Sequence, residues 1–135
     1  MGRRNLTDAE VAAYDVLPPE LARRVRLVPV PALPGGYAGL TLGRWVLLTR
    51  DVPSTSTSPL VAHELVHVRQ WHELGIARFG VRYLSDFGRG LVRHRRWHAA
   101  YRAIGLEVAA RAEADAWSRR SRTDRSGGQS GEALP

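Results

Sequence analysis

The sequence predicts an α+β domain, and two observations lead to this class. Short apolar stretches separated by glycine turns lie between residues 25 and 50, and longer stretches with helical periodicity follow from residue 60. The length of 135 residues suits one compact domain, and 44% apolar residues suffice for a core. We expect a domain over residues 1–117 and a polar, Gly/Ser-rich, disordered tail over 118–135.

The N-terminal part of the chain predicts two short helical segments. A helix over residues 6–16 is indicated by Thr7 as a capping residue with Glu10 three positions later, the spacing of a capping box. Two prolines then open residues 18–25, where a proline can occupy the first turn of a helix.

A small sheet is predicted next. Residues 25–31 form a strand that contains a proline, which favours a position near the sheet edge. Residues 38–42 and 45–50 form a hairpin around a turn at Gly43-Arg44.

The rest of the domain is predicted to be helical. The strongest helix covers residues 60–75 and ends at Gly75. Three glycines within residues 76–92 should interrupt any long helix there. Residues 93–117 predict two helical pieces broken near Gly105.

Composition excludes several kinds of site. The chain has no cysteine, so disulfides, thiolate metal sites and thiol nucleophiles are excluded, and a metal must be held by His, Asp or Glu. The net charge is +7, and every basic residue is an arginine. Such a charge admits a nucleic-acid partner, but the arginines are spread along the chain, so this partner is not favoured.

The sequence also bears on location. It has no run of about 18 apolar residues, so we expect no transmembrane helix and no membrane partner. Its first 15 residues lack the apolar region of a signal peptide, so a cytoplasmic location is expected. Nothing in the sequence indicates an oligomeric state.

The segment "VAHELVHVRQW", residues 61–71, carries the chemistry. His63 and His67 are four residues apart, so on a helix they project from one face and can share one ion. Glu64 can reach a water in the open coordination position and take its proton. The alternative is a surface helix with scattered His and Glu, but the apolar neighbours indicate a buried helix, whose polar groups need partners.

The motif "HELVH" at 63–67 resembles the zincin metalloproteases. More narrowly, "AHELVHVRQW" followed by "HAAYRAIGLE" is similar to small bacterial proteins related to the DUF4157 family, over roughly residues 25–115. The resemblance implies a minimal zincin layout: an N-terminal helix, a small sheet, a motif helix and a later helix that carries a glutamate. It further implies a Zn²⁺ cofactor and hydrolysis of a peptide or protein substrate.

A third metal ligand is needed. The metzincin pattern requires Gly and His where this chain has Gln70 and Glu73, so that class is excluded. The gluzincin arrangement leaves Glu107 and Glu113, which lie about 240° apart on a helix, so at most one faces the metal. The resemblance favours Glu107, because relatives often have Ile-Pro-x-Glu where this chain has Ile-Gly-Leu-Glu at 104–107. The alternative role for either residue is an ion pair with an arginine.

Further groups are weaker candidates. Tyr101 is the predicted stabiliser of an oxyanion, with His98 and Tyr83 as alternatives, although aromatic residues at such spacings are usually core. Asp86 and Asp115 could orient the histidines.

The function then has three candidate classes. The leading one is a gluzincin-type zinc metallopeptidase. In zincins an edge strand near the metal pairs with extended substrate, so the resemblance implies this role and an edge position for strand 45–50, within "RWVLLTRD". The alternative for this stretch is a sheet strand that only packs on the motif helix. The second is a zincin-like domain that binds zinc without catalysis, and the third is a module associated with nucleic acid. The glutamate of the motif favours the first, because a purely structural site needs no base.

Overall fold

The computed structural model describes the backbone of residues 3–53 and 56–132, and the side chains of these ranges up to residue 123. None of the helices in this part of the chain has the length and apolarity that a membrane span requires. The predicted α+β class is confirmed, because a four-stranded sheet packs with five helices. In chain order the elements are β1 (Arg4–Asn5), α1 (Asp8–Ala13), α2 (Pro19–Ala22), β2 (Arg26–Pro29), β3 (Gly39–Leu42), β4 (Trp45–Leu48), α3 (Pro59–His94), α4 (Trp97–Ala103) and α5 (Gly105–Glu132).

The sheet has the strand order β1-β2-β4-β3. The predicted hairpin is confirmed: β3 and β4 pair antiparallel, with Leu42 opposite Trp45. Gly43 begins the turn with φ 64°, a backbone conformation that favours glycine. One prediction about the sheet is wrong. The strand at 45–50 is not an edge strand, because β4 also pairs parallel with β2, so the edge of the hairpin is β3.

The proline-containing strand β2 is only partly at an edge. β1, which the sequence did not predict, pairs with Arg26 and Leu27 and extends no further. The side of β2 that faces β1 is therefore unpaired at Pro29, which has no N–H to donate.

Helix α3 breaks at the predicted position but continues beyond it. Gly75 has φ 78° and ψ 162°, which divides α3 into a first half (residues 59–74) and a second half (residues 76–94). The expectation that glycines 80, 88 and 90 would interrupt the second half is wrong. At Gly90 a Cβ would lie 2.9 Å from Cα of Ala100, so this glycine lets α4 approach closely, and the packing outweighs its low helix propensity.

The main core joins the N-terminal elements to α3 and α5. Tyr14 is fully buried, stacks on Trp117 at 5.3 Å and accepts a hydrogen bond from the backbone N–H of Ser58. Leu65 and Val66 of α3 are also fully buried. This packing fixes the orientation of the first half of α3, which carries the histidine motif.

The predicted break near Gly105 separates α4 from α5, but α5 is longer than expected. It continues to Glu132, through most of the segment predicted as a disordered tail, and residues 133–135 of that tail lie outside the described residues. Arg119, Arg120 and Arg122 are good helix formers and continue α5 directly beyond its packed part, which ends at Trp117. The glycines at 127, 128 and 131 have low helix propensity, so local propensity does not explain the last part of α5. The division at residue 117 stays a prediction.

The capping box of α1 is present and is reinforced by a salt bridge. Thr7 Oγ1 accepts from the backbone N–H of Glu10, whose carboxylate accepts from the N–H of Thr7. Arg4 donates to both carboxylate oxygens of Glu10, at 2.6 and 3.0 Å. Burial alone would raise the pKa of the Glu10 carboxyl, but Arg4 and Thr7 more than offset this and lower it.

We predict that Glu10→Gln lowers the free energy of unfolding by about 2 kcal/mol at neutral pH, since hydrogen bonds to a buried charge are lost. Because the pKa of Glu10 is lowered by folding, its contribution is complete above the unfolded value near 4.5 and is lost as pH falls through the folded value. Urea unfolding at pH 7 and below pH 4 measures both effects. Glu20→Gln, at an exposed position of α2, is the control; an equal loss there would contradict the prediction.

Candidate metal centre

The two motif histidines lie side by side on the first half of α3. Their ring centroids are 4.9 Å apart, as expected for residues one helical turn apart. His67 is buried and His63 is half-buried, since 16% of its side chain is exposed. The neighbouring Val61, Ala62, Leu65 and Val66 are buried in the core, so the other side of the helix is anchored.

Glu107 completes the group from the first turn of α5. Its Oε2 lies 3.0 Å from Nε2 of His63 and 3.0 Å from Nε2 of His67. One atom of each of the three side chains lies within 4.8 Å of the other two, so the group could hold a metal ion. Glu113 lies outside this group and pairs with Arg69 instead. An ion pair with an arginine was the alternative role that the sequence suggested for either glutamate.

One nitrogen of the group lacks a hydrogen-bond partner within the described part of the chain. Nε2 of His67 is buried and lies close to the Glu107 carboxylate, yet it has no hydrogen-bond partner among the described residues. The contact between His67 Nε2 and Glu107 Oε2 therefore lacks the geometry of a hydrogen bond. A buried polar atom without a partner is costly, and a cation bound between the two imidazoles and the carboxylate would satisfy it. Tetrahedral zinc with bonds of about 2.0–2.1 Å places its ligand atoms about 3.3 Å apart, close to the 3.0 Å that separates Glu107 Oε2 from each Nε2.

The charges of the group are strongly coupled. Burial alone would raise the pKa of the Glu107 carboxyl, but its close contacts with the two imidazoles and their charges hold it well below its usual range. Burial likewise would lower the pKa of His67, and the contact with Glu107 outweighs it, so the net direction is upward. The carboxylate thus attracts positive charge to the space between the three side chains.

Gln70 orients His67 and was missed by the sequence analysis, which used it only to exclude the metzincins. Its side-chain NH₂ donates to the carbonyl of Leu106 at 3.1 Å, so its Oε1 faces Nδ1 of His67, 2.7 Å away. Since an amide oxygen only accepts, Nδ1 carries the proton and Nε2 presents a lone pair to the centre. The signal available in the sequence was the spacing of three residues on the same helix.

We predict that Gln70→Leu weakens zinc binding by 10- to 100-fold, roughly the effect of losing an orienting hydrogen bond to a ligand. The histidine would then rotate more freely and lose its fixed tautomer. Zinc titration against a competing chelator measures the change. His72→Ala is the control, because His72 is exposed on the same helix. Equal affinities for Gln70→Leu and wild type would contradict the orienting role.

Glu64 is buried beside the candidate ligands, between Thr41 and Gly39 of β3. The hydroxyl of Thr41 donates to its Oε2 at 2.7 Å, while the indole of Trp71 donates to the carbonyl of Thr41. Gly39 leaves room for the carboxylate, since a Cβ there would lie 2.9 Å from Glu64 Oε1. Burial raises the pKa of Glu64, and the nearby Glu107 acts in the same direction.

Two tyrosines line the site and one predicted candidate does not. Tyr83 donates to Oε1 of Glu107 at 2.9 Å, so it supports the predicted ligand. Tyr101 lines the same cavity and stacks on Tyr37 at 4.4 Å; burial and the Glu107 carboxylate raise its pKa, so it stays protonated. His98 is exposed and contacts the hydroxyl of Tyr37 instead.

The two aspartates predicted to orient the histidines contact neither of them. Asp86 accepts a hydrogen bond from the backbone N–H of Gly105, which caps the start of α5, and it pairs with Arg89. Asp115 is exposed on α5. Asp86 therefore positions the helix that carries Glu107, while Gln70 performs the role predicted for the aspartates.

A cavity of about 240 Å³ opens beside Glu64, His67 and Glu107. The edge strand β3 forms one wall, and the second half of α3 forms the opposite wall. A larger open groove, about 770 Å³, lies between α1 and α5 and contains none of the candidate ligands. The residues that line the smaller cavity outside the ligand group are mainly apolar: Leu40, Leu42, Trp71, Phe79, Gly80 and Leu84.

Comparison with known proteins adds no assignment. No family model, no curated protein and no solved structure matches this chain. The identification of a candidate metal centre therefore rests on the His63, His67 and Glu107 geometry alone.

Proposed function

We propose that the protein is a zinc-dependent metallopeptidase of the gluzincin type within the zincins, with His63, His67 and Glu107 as zinc ligands. One observation carries the proposal: a single carboxylate oxygen of Glu107 lies 3.0 Å from Nε2 of both histidines, so these three atoms are close enough together to share one ion. The resemblance of the "HELVH" segment to zincins supports the same assignment.

The donor set favours zinc among divalent metals. Two imidazoles and one carboxylate are the protein ligands of several catalytic zinc sites, which leave a fourth position open. With neutral histidines, the carboxylates of Glu64 and Glu107 leave two negative charges in a mostly buried site. A divalent cation balances these charges, which stabilises both carboxylates at neutral pH.

When bound, zinc would supply an acidic water, with a pKa near 7, and would polarise a substrate carbonyl. Glu64 is suited to accept a proton, because burial raises its pKa towards the working range of a general base. Thr41 holds one carboxylate oxygen of Glu64 and leaves the other, beside Gly39, free to accept that proton. The same carboxyl can later deliver the proton to the leaving amine.

Tyr101 is the best candidate for a donor to the developing oxyanion. Its phenol lines the cavity beside Glu107 and stays protonated, so it can donate a hydrogen bond. Tyr83 is less suited, because its hydroxyl already donates to Glu107.

The edge strand β3 is the surface on which an extended peptide would pair. Its outer edge is unpaired in the sheet, and Gly39 to Leu42 line the cavity beside Glu64. A peptide that adds to this edge would place its carbonyl groups next to the base through main-chain hydrogen bonds. We therefore propose this role for β3 in place of strand 45–50, which lies inside the sheet.

Hydrolysis of a broad peptide library by the zinc-loaded protein tests the proposal. We expect cleavage that a chelator abolishes and stoichiometric zinc restores, with product ends identified by mass spectrometry. Zinc bound without any cleavage would favour the alternative, a zincin-like domain that binds the metal and interacts with a partner. Cleavage that survives complete metal removal would contradict the proposal.

A further inference from the structure

The second half of α3 carries an apolar stripe on its solvent side. Val81, Leu84 and Val92 are 67%, 68% and 79% exposed. Residues three or four positions apart lie on the same side of a helix. Ala77 extends this line before Val81, and Gly88 lies in it between Leu84 and Val92. Single exposed apolar residues are ordinary, whereas an aligned row of them marks an interaction surface.

A stripe of arginines runs beside the apolar one. Arg78, Arg82, Arg89 and Arg93 each follow a position of the apolar stripe by one residue, so they lie about 100° further around the helix. All four are exposed. Asp86 pairs with Arg89 at 3.4 Å, and the other three have no ion pair among the described residues. Residues 76–94 contain these four arginines and one acidic residue, Asp86.

We propose that this outer face of α3, residues 76–94, docks on an anionic lipid surface with the helix lying in the plane of the bilayer. An exposed helix with an apolar stripe beside a cationic stripe fits this surface, because the apolar side chains enter the acyl boundary while the arginines meet lipid phosphates. The expectation of no membrane partner came from the lack of a spanning segment, which does not bear on a helix that lies on the surface.

The charges and the apolar row together favour lipid over other partners. A nucleic acid would meet the arginines, but its phosphate backbone would leave the row of valines and leucine unpartnered. A second copy of the chain would bring another set of arginines against this one, and each chain has a net charge of +7.

The proposed surface adjoins the cavity of the candidate metal centre. Leu84 belongs to the apolar stripe and also lines that cavity. Gly80, which precedes Val81 of the stripe, lines the cavity as well. Docking would therefore bring the mouth of the cavity to the lipid surface. The docking itself depends only on the exposed face of α3 and does not rest on the proposed hydrolysis.

A fluorescent label tests which face meets the lipid. The chain has no cysteine, so Val81→Cys creates a single thiol for an environment-sensitive dye, and Ala12→Cys, at an exposed position of α1, is the matched control. With vesicles of phosphatidylcholine and about 30 mol% phosphatidylserine, we expect a blue shift for the label at 81 and none at 12. No shift at either position, or equal shifts at both, would overturn the proposal.

Two sets of variants then separate the stripes in vesicle sedimentation. Neutralising Arg78, Arg82, Arg89 and Arg93 with glutamine should reduce partitioning at least about a hundredfold, because each basic residue contributes roughly fivefold near an anionic surface. Val81→Ser, Leu84→Ser and Val92→Ser together should reduce it at least about tenfold. The control changes Arg23, Arg26, Arg50 and Arg119 to glutamine, which removes the same charge from other exposed sites.

The outcomes are distinct provided that circular dichroism shows each variant folded. Loss with both α3 sets and retention in the control support the proposal. Equal loss in the control indicates adhesion by net charge only and overturns it. Loss with the arginine set alone, together with DNA binding, assigns the arginines to a nucleic acid and also overturns it. A wild-type dimer that the serine set dissociates, without vesicle binding, shows that a second copy covers this face instead.

Discussion

Glu64→Gln should abolish peptide hydrolysis while leaving zinc bound. The amide cannot accept a proton from water, and loss of a general base costs roughly 10²- to 10⁴-fold in rate. Thr41 can still donate to the amide oxygen, so the side chain keeps its position. Burial disfavours the charged carboxylate. With the metal removed from both proteins, the variant should therefore be at least as stable as wild type. Library cleavage rates, zinc content and thermal melting measure the three effects.

Glu73→Gln is the matched control for this change. It lies on the same helix, is 61% exposed and pairs only with Arg69, so it should leave rate and zinc content unchanged. If Glu64→Gln lost the metal, Glu64 would be a ligand or a structural residue, and the assignment of the base would be wrong. If the rate were unchanged, the proton acceptor would be another group.

Glu107→Ala should lower zinc affinity at least about a hundredfold, and Glu113→Ala should change it little. Removing Glu107 leaves two imidazoles as protein ligands, which is fewer than the three of catalytic zinc sites. The Glu113 side chain is 40% exposed and pairs with Arg69, so its loss removes a partly exposed ion pair outside the candidate centre. Zinc titrations on both variants measure the difference, and zinc-dependent melting should follow it because binding and folding are linked.

Two controls sharpen this comparison. Both variants remove one carboxylate from the same helix, so a general effect of charge would appear equally in both. Tyr83→Phe removes the hydrogen bond to Glu107 Oε1 and should weaken zinc binding less than Glu107→Ala. Should Glu113→Ala prove the damaging change, the ligand helix would bind metal through its other face and the present geometry would be wrong.

The local patterns were sufficient to predict most of the elements. The Thr7 and Glu10 capping box, the Gly43 turn and the Gly75 break are decided by residues close in sequence, and each is present. The second half of α3 was predicted wrongly because contacts between residues distant in sequence decide its structure. Gly90 is set by its contact with Ala100 of another helix, and such tertiary packing is not visible in local propensity.

The sequence predicted those residues of the candidate centre that lie at a regular helical spacing. The helical spacing of His63 and His67 was enough to place them together, but Glu107 and Glu113 differed only by the rotation of α5. That rotation is set by Ala110, Ala114 and Trp117, which are buried in the core. The role of Thr41 was missed because it comes from a strand 23 residues before Glu64, where no spacing rule applies.

The order of the strands was also beyond local prediction. The hairpin turn shows that β3 and β4 are neighbours, but not which of them pairs with β2. The parallel pairing of β2 with β4 places β3 at the edge and next to the cavity. Likewise, the exposure of the apolar stripe on α3 became visible only once the buried side of that helix was known.

Elemental analysis of the purified protein tests the central claim most directly. Wild type, expressed and purified without chelators, should contain one zinc per chain, and His63→Ala should contain little, because the remaining two ligands do not hold the ion through purification. His72→Ala, which removes an exposed histidine of the same helix, should keep one zinc per chain. A wild-type protein that purifies without metal and takes up none on titration with zinc would contradict the assignment of His63, His67 and Glu107 as a metal centre.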